Sequence, residues 1–130
     1  MITEKAIHEL VVDPEFKNLI RPLFKQEYLQ LEQNLISDGC RDPLTTWHGV
    51  IIAGHNRYEL CRKHQIPFSV EEMEFECKEE VIAWICANQL GRRNLTEETR
   101  KYLIGIQYES EKIVNSKKNA LGINQYVGQD

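Results

Sequence analysis

The sequence predicts an α+β fold, a small mixed sheet with flanking helices and a C-terminal long helix. Three observations carry that expectation. Pro43-Leu44-Thr45-Thr46-Trp47 and Val50-Ile51-Ile52 flank the two-residue turn His48-Gly49, and their β-branched and aromatic content reads as a hairpin. Lys78 to Leu90 carries Val81, Ile82, Trp84, Ile85 and Ala87 as a broad apolar stripe at helical spacing. Beyond it, Tyr102, Leu103, Ile106 and Ile113 repeat with the same period behind the N-cap arrangement Thr96-Glu97-Glu98-Thr99.

The remaining elements follow in order. Asp13-Pro14-Glu15 places a capping side chain, then Pro at the first helical position, then a carboxylate in the first turn, so a short helix should run to about Leu19. Pro22 interrupts it. A second helix from Gln26 to about Ser37 carries Leu29, Leu31, Leu35 and Ile36, and Asp38-Gly39 closes it. After the hairpin, Gly54 opens a helix with Tyr58, Leu60 and Cys61 inward, ending near His64-Gln65 because Pro67 prevents continuation. Phe68 to Phe75 alternates well enough for a strand with one wet face. Gly91 ends the helix that follows, and the tail from Asn115 to Asp130 is polar and without a packed pattern. By function the chain divides into a core at 1–91, a helical extension at 92–114 and a polar tail at 115–130.

Composition narrows the class. The 130 residues are 42% hydrophobic and 28% charged, which is ordinary for a globular protein and suffices for one modest core. No apolar run could span a bilayer, and Met1-Ile2-Thr3-Glu4-Lys5 lacks the basic start and apolar stretch of a signal peptide, so the expected location is cytoplasmic, without a membrane partner. Cys40, Cys61, Cys77 and Cys86 form no Cys-x-x-Cys pair and have no His at a useful offset, so they read as small buried residues and no metal site is expected. The net charge of −4 argues against a whole-protein grip on nucleic acid. Residues 92–130 hold seven Lys/Arg against five Asp/Glu, whereas residues 1–91 hold nine against fifteen, so any contact with DNA should lie from Arg92 onward.

The segment that carries chemistry is Ala53-Gly54-His55-Asn56-Arg57, where a strand runs through a glycine into a helix. The first N–H groups of a helix have no internal partner, and the macrodipole draws anions to that end. Gly54 would let a phosphate approach without a Cβ in the way, Arg57 one turn on could offer a bidentate fork, and His55 and Asn56 add polar groups at the mouth. The plainer alternatives are a capped helix start, a structural salt-bridged Arg57, and an Arg92-Arg93 pair that neutralises a helix C-terminus. Trp47 and Trp84 read as core, and the acidic run from Glu71 to Glu80 as a solvated face, because its spacing straddles a strand and a helix start.

Ile51-Ile52-Ala53-Gly54-His55-Asn56-Arg57-Tyr58-Glu59 resembles the signature of the ParB/sulfiredoxin-like superfamily, whose members carry G-E-R-R, D-G-H-H-R or G-C-H-R here. Two further blocks agree in order and spacing over roughly residues 7–112. A helix ending in Gly39 leads to Pro43-Leu44-Thr45, similar to the ParB helix, glycine and proline-led strand. Ala87-Asn88-Gln89-Leu90-Gly91-Arg92-Arg93-Asn94-Leu95-Thr96 resembles the ParB E-N-x-Q-R segment and the D-L-[NT] after it. The resemblance implies a ParB N-terminal (nuclease-like, CTP-binding) domain of a plasmid-, phage- or mobile-element-type protein. It implies a binding site for CTP or another NTP with Mg²⁺. Gly54, His55, Asn56 and Arg57 would surround the phosphates, Gly39, Arg41 and Pro43 would lie near base or ribose, and Asn88, Gln89, Arg92 and Arg93 would lie near the phosphates or the ion. The implied partners are DNA, mainly through a helix-turn-helix that follows this domain in longer relatives, and a second copy as a homodimer. On that reading the chain is the N-terminal piece of a longer protein.

The departures from the family pattern weigh against catalysis. Sulfiredoxins place a reactive cysteine directly before His-Arg, where this chain has His55 or Gly54, and Cys61 falls a turn too far along. The free serine kinases with D-G-H-H-R use the leading Asp, here Ala53, and Asn88 stands where ParB has its metal-side Glu. No catalytic residue is therefore assigned. The expected function is a nucleotide-binding switch in a DNA-partitioning or transcription-regulating protein. The rivals are a nuclease, NTPase or kinase acting on phosphate esters, weak CTPase or nuclease activity included, and a ligand-free protein-interaction domain.

Overall fold

The computed structural model describes residues 2–92 and 95–120, in two packing units, 1–74 and 75–130. In the first unit, Asp13 caps α1 (Pro14–Lys17) by accepting the Glu15 N–H at 2.8 Å. A connector containing Pro22 leads to α2 (Lys25–Asp38), which ends at Gly39 with φ +76°. β1 (Leu44–Trp47) and β2 (Val50–Ala53) form the expected antiparallel hairpin, followed by α3 (His55–His64) and β3 (Val70–Glu72). The sheet order is β2-β1-β3, with β3 parallel to β1, so the sheet is mixed as the sequence implied.

The hairpin turn places both His48 (φ +51°) and Gly49 (φ +77°) in left-handed backbone, which a two-residue connection needs to match the strand twist. Positive φ is uncommon for any non-glycine residue, although His is among the types that adopt it more often, and here the backbone has added support. Glu72, at the end of β3, supplies it: one carboxylate oxygen accepts from the Thr46 hydroxyl at 2.7 Å and the other accepts the His48 N–H. Partial burial opposes ionisation of Glu72, but hydrogen bonds from Thr46, His48 and Gly49 outweigh it and hold the carboxyl below its usual range. Its stabilisation is therefore present above the ordinary glutamate range and is lost as the pH falls below it. Glu72→Gln should cost about 1 kcal/mol in urea unfolding at pH 7, a figure kept small because the residue is exposed. The deficit should shrink on acidification.

Residues 2–11 carry no helical or strand period, and the sequence reading assigns them no element. They nevertheless flank the sheet on both sides through isolated bridges. Thr3 donates to Val70 O at 2.8 Å, Ala6 and Phe68 exchange backbone bonds at 3.0 and 2.8 Å, and Val11 joins Gly49 and Ile51 at 3.0 and 2.9 Å. Such a segment satisfies edge groups that would otherwise be open to intermolecular pairing. β3 is shorter than the expected 68–75, because beyond Glu72 only the Met73 N–H still bonds β1, at Thr46 O.

The core of this unit is built from Leu35, Cys40, Leu44, Leu60, Cys61, Phe68 and Val70, with Tyr58 edge-on to Phe68 at 5.8 Å. Cys40 and Cys61 are buried side by side, and burial pushes the Cys61 thiol up to about 12, assisted by Cys40. Such a thiol is packing material at neutral pH. The same holds for Cys86 of the second unit, pushed up to about 11 by burial.

The second unit is an antiparallel pair, α4 (Lys78–Leu90) and α5 (Glu97–Ala120). Lys117 near the end of α5 reaches Glu79 at the start of α4 at 2.6 Å, and Arg100 reaches Leu90 O at 3.5 Å. α4 has the bounds read from its sequence, but its buried stripe is Val81, Ile82, Ile85, Cys86 and Gln89. Ala87 is exposed, and Trp84 is half-buried, edge-on to Phe75. In α5 the buried positions are Leu103 and Ser110, while Tyr102 and Ile113, expected inward, are exposed. The α5 helix also runs through 115–120, which the sequence reading assigned to a polar tail. That stretch buries nothing apolar, so no hydrophobic period marks it, yet the Lys117–Glu79 pair ties it to α4. No helix of the described residues is long and apolar enough to cross a membrane.

Candidate functional site

The centre of the first unit's polar chemistry is the turn between β2 and α3. Gly54 takes φ +98°, a left-handed conformation open to glycine, and Tyr58 N–H closes the first helical bond on Gly54 O at 2.9 Å. No side chain caps α3, so the helix start keeps its donors. The glycine serves packing before anything else. A Cβ there would lie 2.7 Å from Leu44 Cδ2 and 3.2 Å from Arg57 Nη2. Leu44 and the Arg57 guanidinium, rather than open space, occupy the room that the missing side chain leaves.

Arg57 folds back over this turn and donates from Nη1 to Asp42 O at 2.9 Å. It thereby joins α3 to the 39–43 loop. Gly39 ends α2 with ψ −179°, a combination that only glycine adopts readily, and its N–H bonds Leu35 O at 2.9 Å. Cys40 Sγ lies 3.5 Å from Asp42 O, pinning the loop from inside. Arg41 is exposed and Pro43 half-buried, just before Leu44 enters the sheet. Gly39, Arg41, Asp42 and Arg57 line a cavity of about 280 Å³ whose other wall is the last turns of α2, from Leu31 to Asp38.

His55 and Asn56 lie elsewhere around the helix start. They line a larger groove of about 690 Å³ with Lys17, Arg21, Lys25, Tyr28 and Glu59, continued by one of about 340 Å³ that reaches Arg62. The first turn of α3 therefore divides the predicted cluster into two flanks, with the Arg57 fork on one and His55 on the other. His55 is 8% exposed, and neither ring nitrogen has a hydrogen-bond partner. Burial, with a smaller contribution from Lys17, lowers its pKa to about 4. At neutral pH His55 is thus an uncharged donor and acceptor, not a cation. Lys17 and Arg21 escaped the sequence reading because only the folding of the α1–α2 connector against α3 brings them to this groove, and no local motif marks them.

The third block of predicted site residues lies in the second unit. Asn88 is exposed on the last turn of α4, Gln89 is buried, and Arg92 is exposed with its N–H on Gln89 O at 3.0 Å. Arg93 falls outside the described residues. Gly54, His55, Asn56 and Arg57 contain no carboxylate, and Asn88 offers only an amide oxygen. This donor set does not fit an Mg²⁺ ion held by the protein itself, since Mg²⁺ prefers carboxylates and phosphates. Among the described residues, no group of three His, Cys, Asp or Glu side chains could hold a metal.

Two solved structures of a pNOB8-like ParB N-domain match this architecture. The C2221 form does so with a TM-score of 0.70 at 21% identity, over 92% of this chain and 49% of that one. The other has a TM-score of 0.67 at 24% identity, over 95% and 48% of the respective chains. The fold is that of a ParB N-domain. The chain spans about half the length of the ParB N-domain structures it matches. No family model and no curated protein matches the sequence. Within the ParB N-domain fold, the loop of residues 39–43 and the α3 start belong to one packing unit, and the Asn88–Arg92 segment to the other.

Proposed function

We propose that this chain is a ParB-like nucleotide-binding module, with CTP or another NTP as ligand, acting as a switch in a DNA-partitioning or transcription-regulating protein. The observation that carries the reading is Arg57, held by Asp42 O at the junction of the 39–43 loop and an uncapped helix start. A guanidinium so placed retains donors for a phosphate, and the helix dipole favours the same charge. The nucleotide would bring Mg²⁺ on its own phosphates. Gly39, Arg41 and Pro43 would face base or ribose. On this reading DNA and a second copy of the chain are the expected partners.

Titration of CTP, ATP and GTP with Mg²⁺ by calorimetry tests this. At least one nucleotide should bind, and Arg57→Ala should weaken it by about tenfold or more, the worth of a charge-assisted pair. Absence of heat for all three would leave the fold as a protein-interaction domain. The nuclease, NTPase or kinase reading requires phosphate release or DNA cleavage above a His55→Ala control. Among the described residues Glu59 is the one carboxylate lining the grooves at His55, and no group of three His, Cys, Asp or Glu side chains could hold a metal for phosphodiester chemistry there.

A further inference from the structure

The grooves on the His55 flank of α3 gather a charge opposite to that of the chain around them. Residues 1–91 carry nine Lys/Arg against fifteen Asp/Glu. Four of those nine, Lys17, Arg21, Lys25 and Arg62, line the two grooves, where Glu59 is the one carboxylate among the described residues. Glu59 already accepts the Tyr28 hydroxyl at 3.1 Å, and Arg21 is engaged by Glu27 at 3.3 Å. Lys17 and Lys25 stand exposed at the margin. Like charges so gathered in an acidic chain focus a field that favours an anionic ligand.

The wall of the grooves carries a second, independent mark. His55 is more than nine-tenths buried, borders both grooves, and neither ring nitrogen has a partner. Leaving buried nitrogens unbonded costs stability, which a ligand that bonds them would restore. The ring is neutral at neutral pH, so it presents one N–H and one lone pair. An ionised phosphate or carboxylate offers acceptors alone and would satisfy only the N–H, whereas a peptide unit offers both a C=O and an N–H. The grooves are also longer than a single oxyanion. From His55 to Arg62 they follow α3 for roughly 10 Å, the length of about three residues of extended chain. Ile20, Leu23 and Leu29 add apolar wall for the side chains between the acids. We propose that this groove binds an extended acidic peptide segment of a partner protein, with its backbone bonded to His55 and its carboxylates to Lys17 and Lys25.

The site lies on the other flank of α3 from Arg57, so it needs no nucleotide and stands apart from the function proposed above. Fluorescence anisotropy of a labelled octapeptide of alternating Asp and Leu, titrated with the whole chain in low salt and without nucleotide, tests it. Binding should appear between about 10 µM and about 1 mM, and weaken by about tenfold when salt is raised to about 0.5 M. The same peptide with Asn in place of Asp should bind about tenfold more weakly. Lys17→Glu and Lys25→Glu should each cost about tenfold in affinity. Lys101→Glu, an equal change of net charge on α5 that lines neither groove, should stay within about twofold of wild type. His55→Phe, which keeps the ring shape, should lose about fivefold with an unchanged melting temperature at neutral pH. If that variant loses fold stability, the exposed lysines alone decide. No binding up to about 1 mM, equal binding of the Asn peptide, or an equal loss in Lys101→Glu overturns the proposal. Complete displacement of the peptide by inorganic pyrophosphate at about 1 mM also overturns it, since the groove would then be a phosphate site.

Discussion

Gly54→Ala should destabilise the protein by about 3 kcal/mol, and Gly54→Val by more. Two costs add at this position. The backbone sits at φ +98°, where a residue with a Cβ is strained by about 1–3 kcal/mol. The new carbon would also lie 2.7 Å from Leu44 Cδ2, and Leu44 is fully buried in the core against Phe68 and Leu60, so it cannot move aside cheaply. Overpacking of such a core costs about 1–3 kcal/mol. Against a total stability of about 5–15 kcal/mol for a domain of this size, the combined loss is large. Gly49→Asn provides the contrast: φ is +77°, nothing lies within 4 Å of a Cβ, and Asn tolerates left-handed backbone. Urea unfolding of the two variants should separate them by about 2 kcal/mol or more. Equal losses would mean that the Leu44 contact carries no weight.

His55 should make the fold acid-sensitive in a window that an exposed histidine would not. Its pKa is lowered from the ordinary 6.5 to about 4, first by burial and then by Lys17. The unfolded chain therefore takes up a proton before the folded one does. The contribution of a neutral His55 to stability is complete above about pH 6.5 and drains away as the pH falls from there to about 4. A displacement of this size corresponds to a loss of about 3 kcal/mol once the lower limit is passed. Other groups titrate in the same range, so the informative quantity is the difference between wild type and His55→Phe. The substitution keeps a ring of similar shape while removing two buried nitrogens that have no partner. At pH 7.5 the two proteins should be of similar stability, and by pH 4.5 the variant should be the more stable by about 2 kcal/mol. A difference that stays constant from pH 7.5 to 4.5 would show that His55 titrates as an exposed side chain does.

The two positions also mark how far sequence reasoning reached. Hairpin, helix starts and helix ends were legible because each rests on local chemistry: the His48-Gly49 turn, the Asp13 cap with Pro14 after it, Gly39 closing α2, and the uninterrupted apolar run of α4. The inward face of α5 was not legible, since Tyr102, Ile106 and Ile113 share a helical period with Leu103 but only some can face α4. Residues 2–11 gave no signal because backbone bonds to Val70, Phe68 and Gly49, not a side-chain pattern, hold them in place.

At the candidate site, sequence alone determined that a glycine, a histidine, an asparagine and an arginine stand at a helix start, in the order shared with two other blocks. It could not determine which way each points. A helix places successive side chains about 100° apart, so adjacent residues in one motif serve different surroundings. Tertiary packing put Arg57 on Asp42 O beside the 39–43 loop, buried His55 without a partner next to Lys17, and filled the space above Gly54 with Leu44. Those neighbours lie 10 to 40 residues away along the chain, and only the folded sheet and helices bring them within reach.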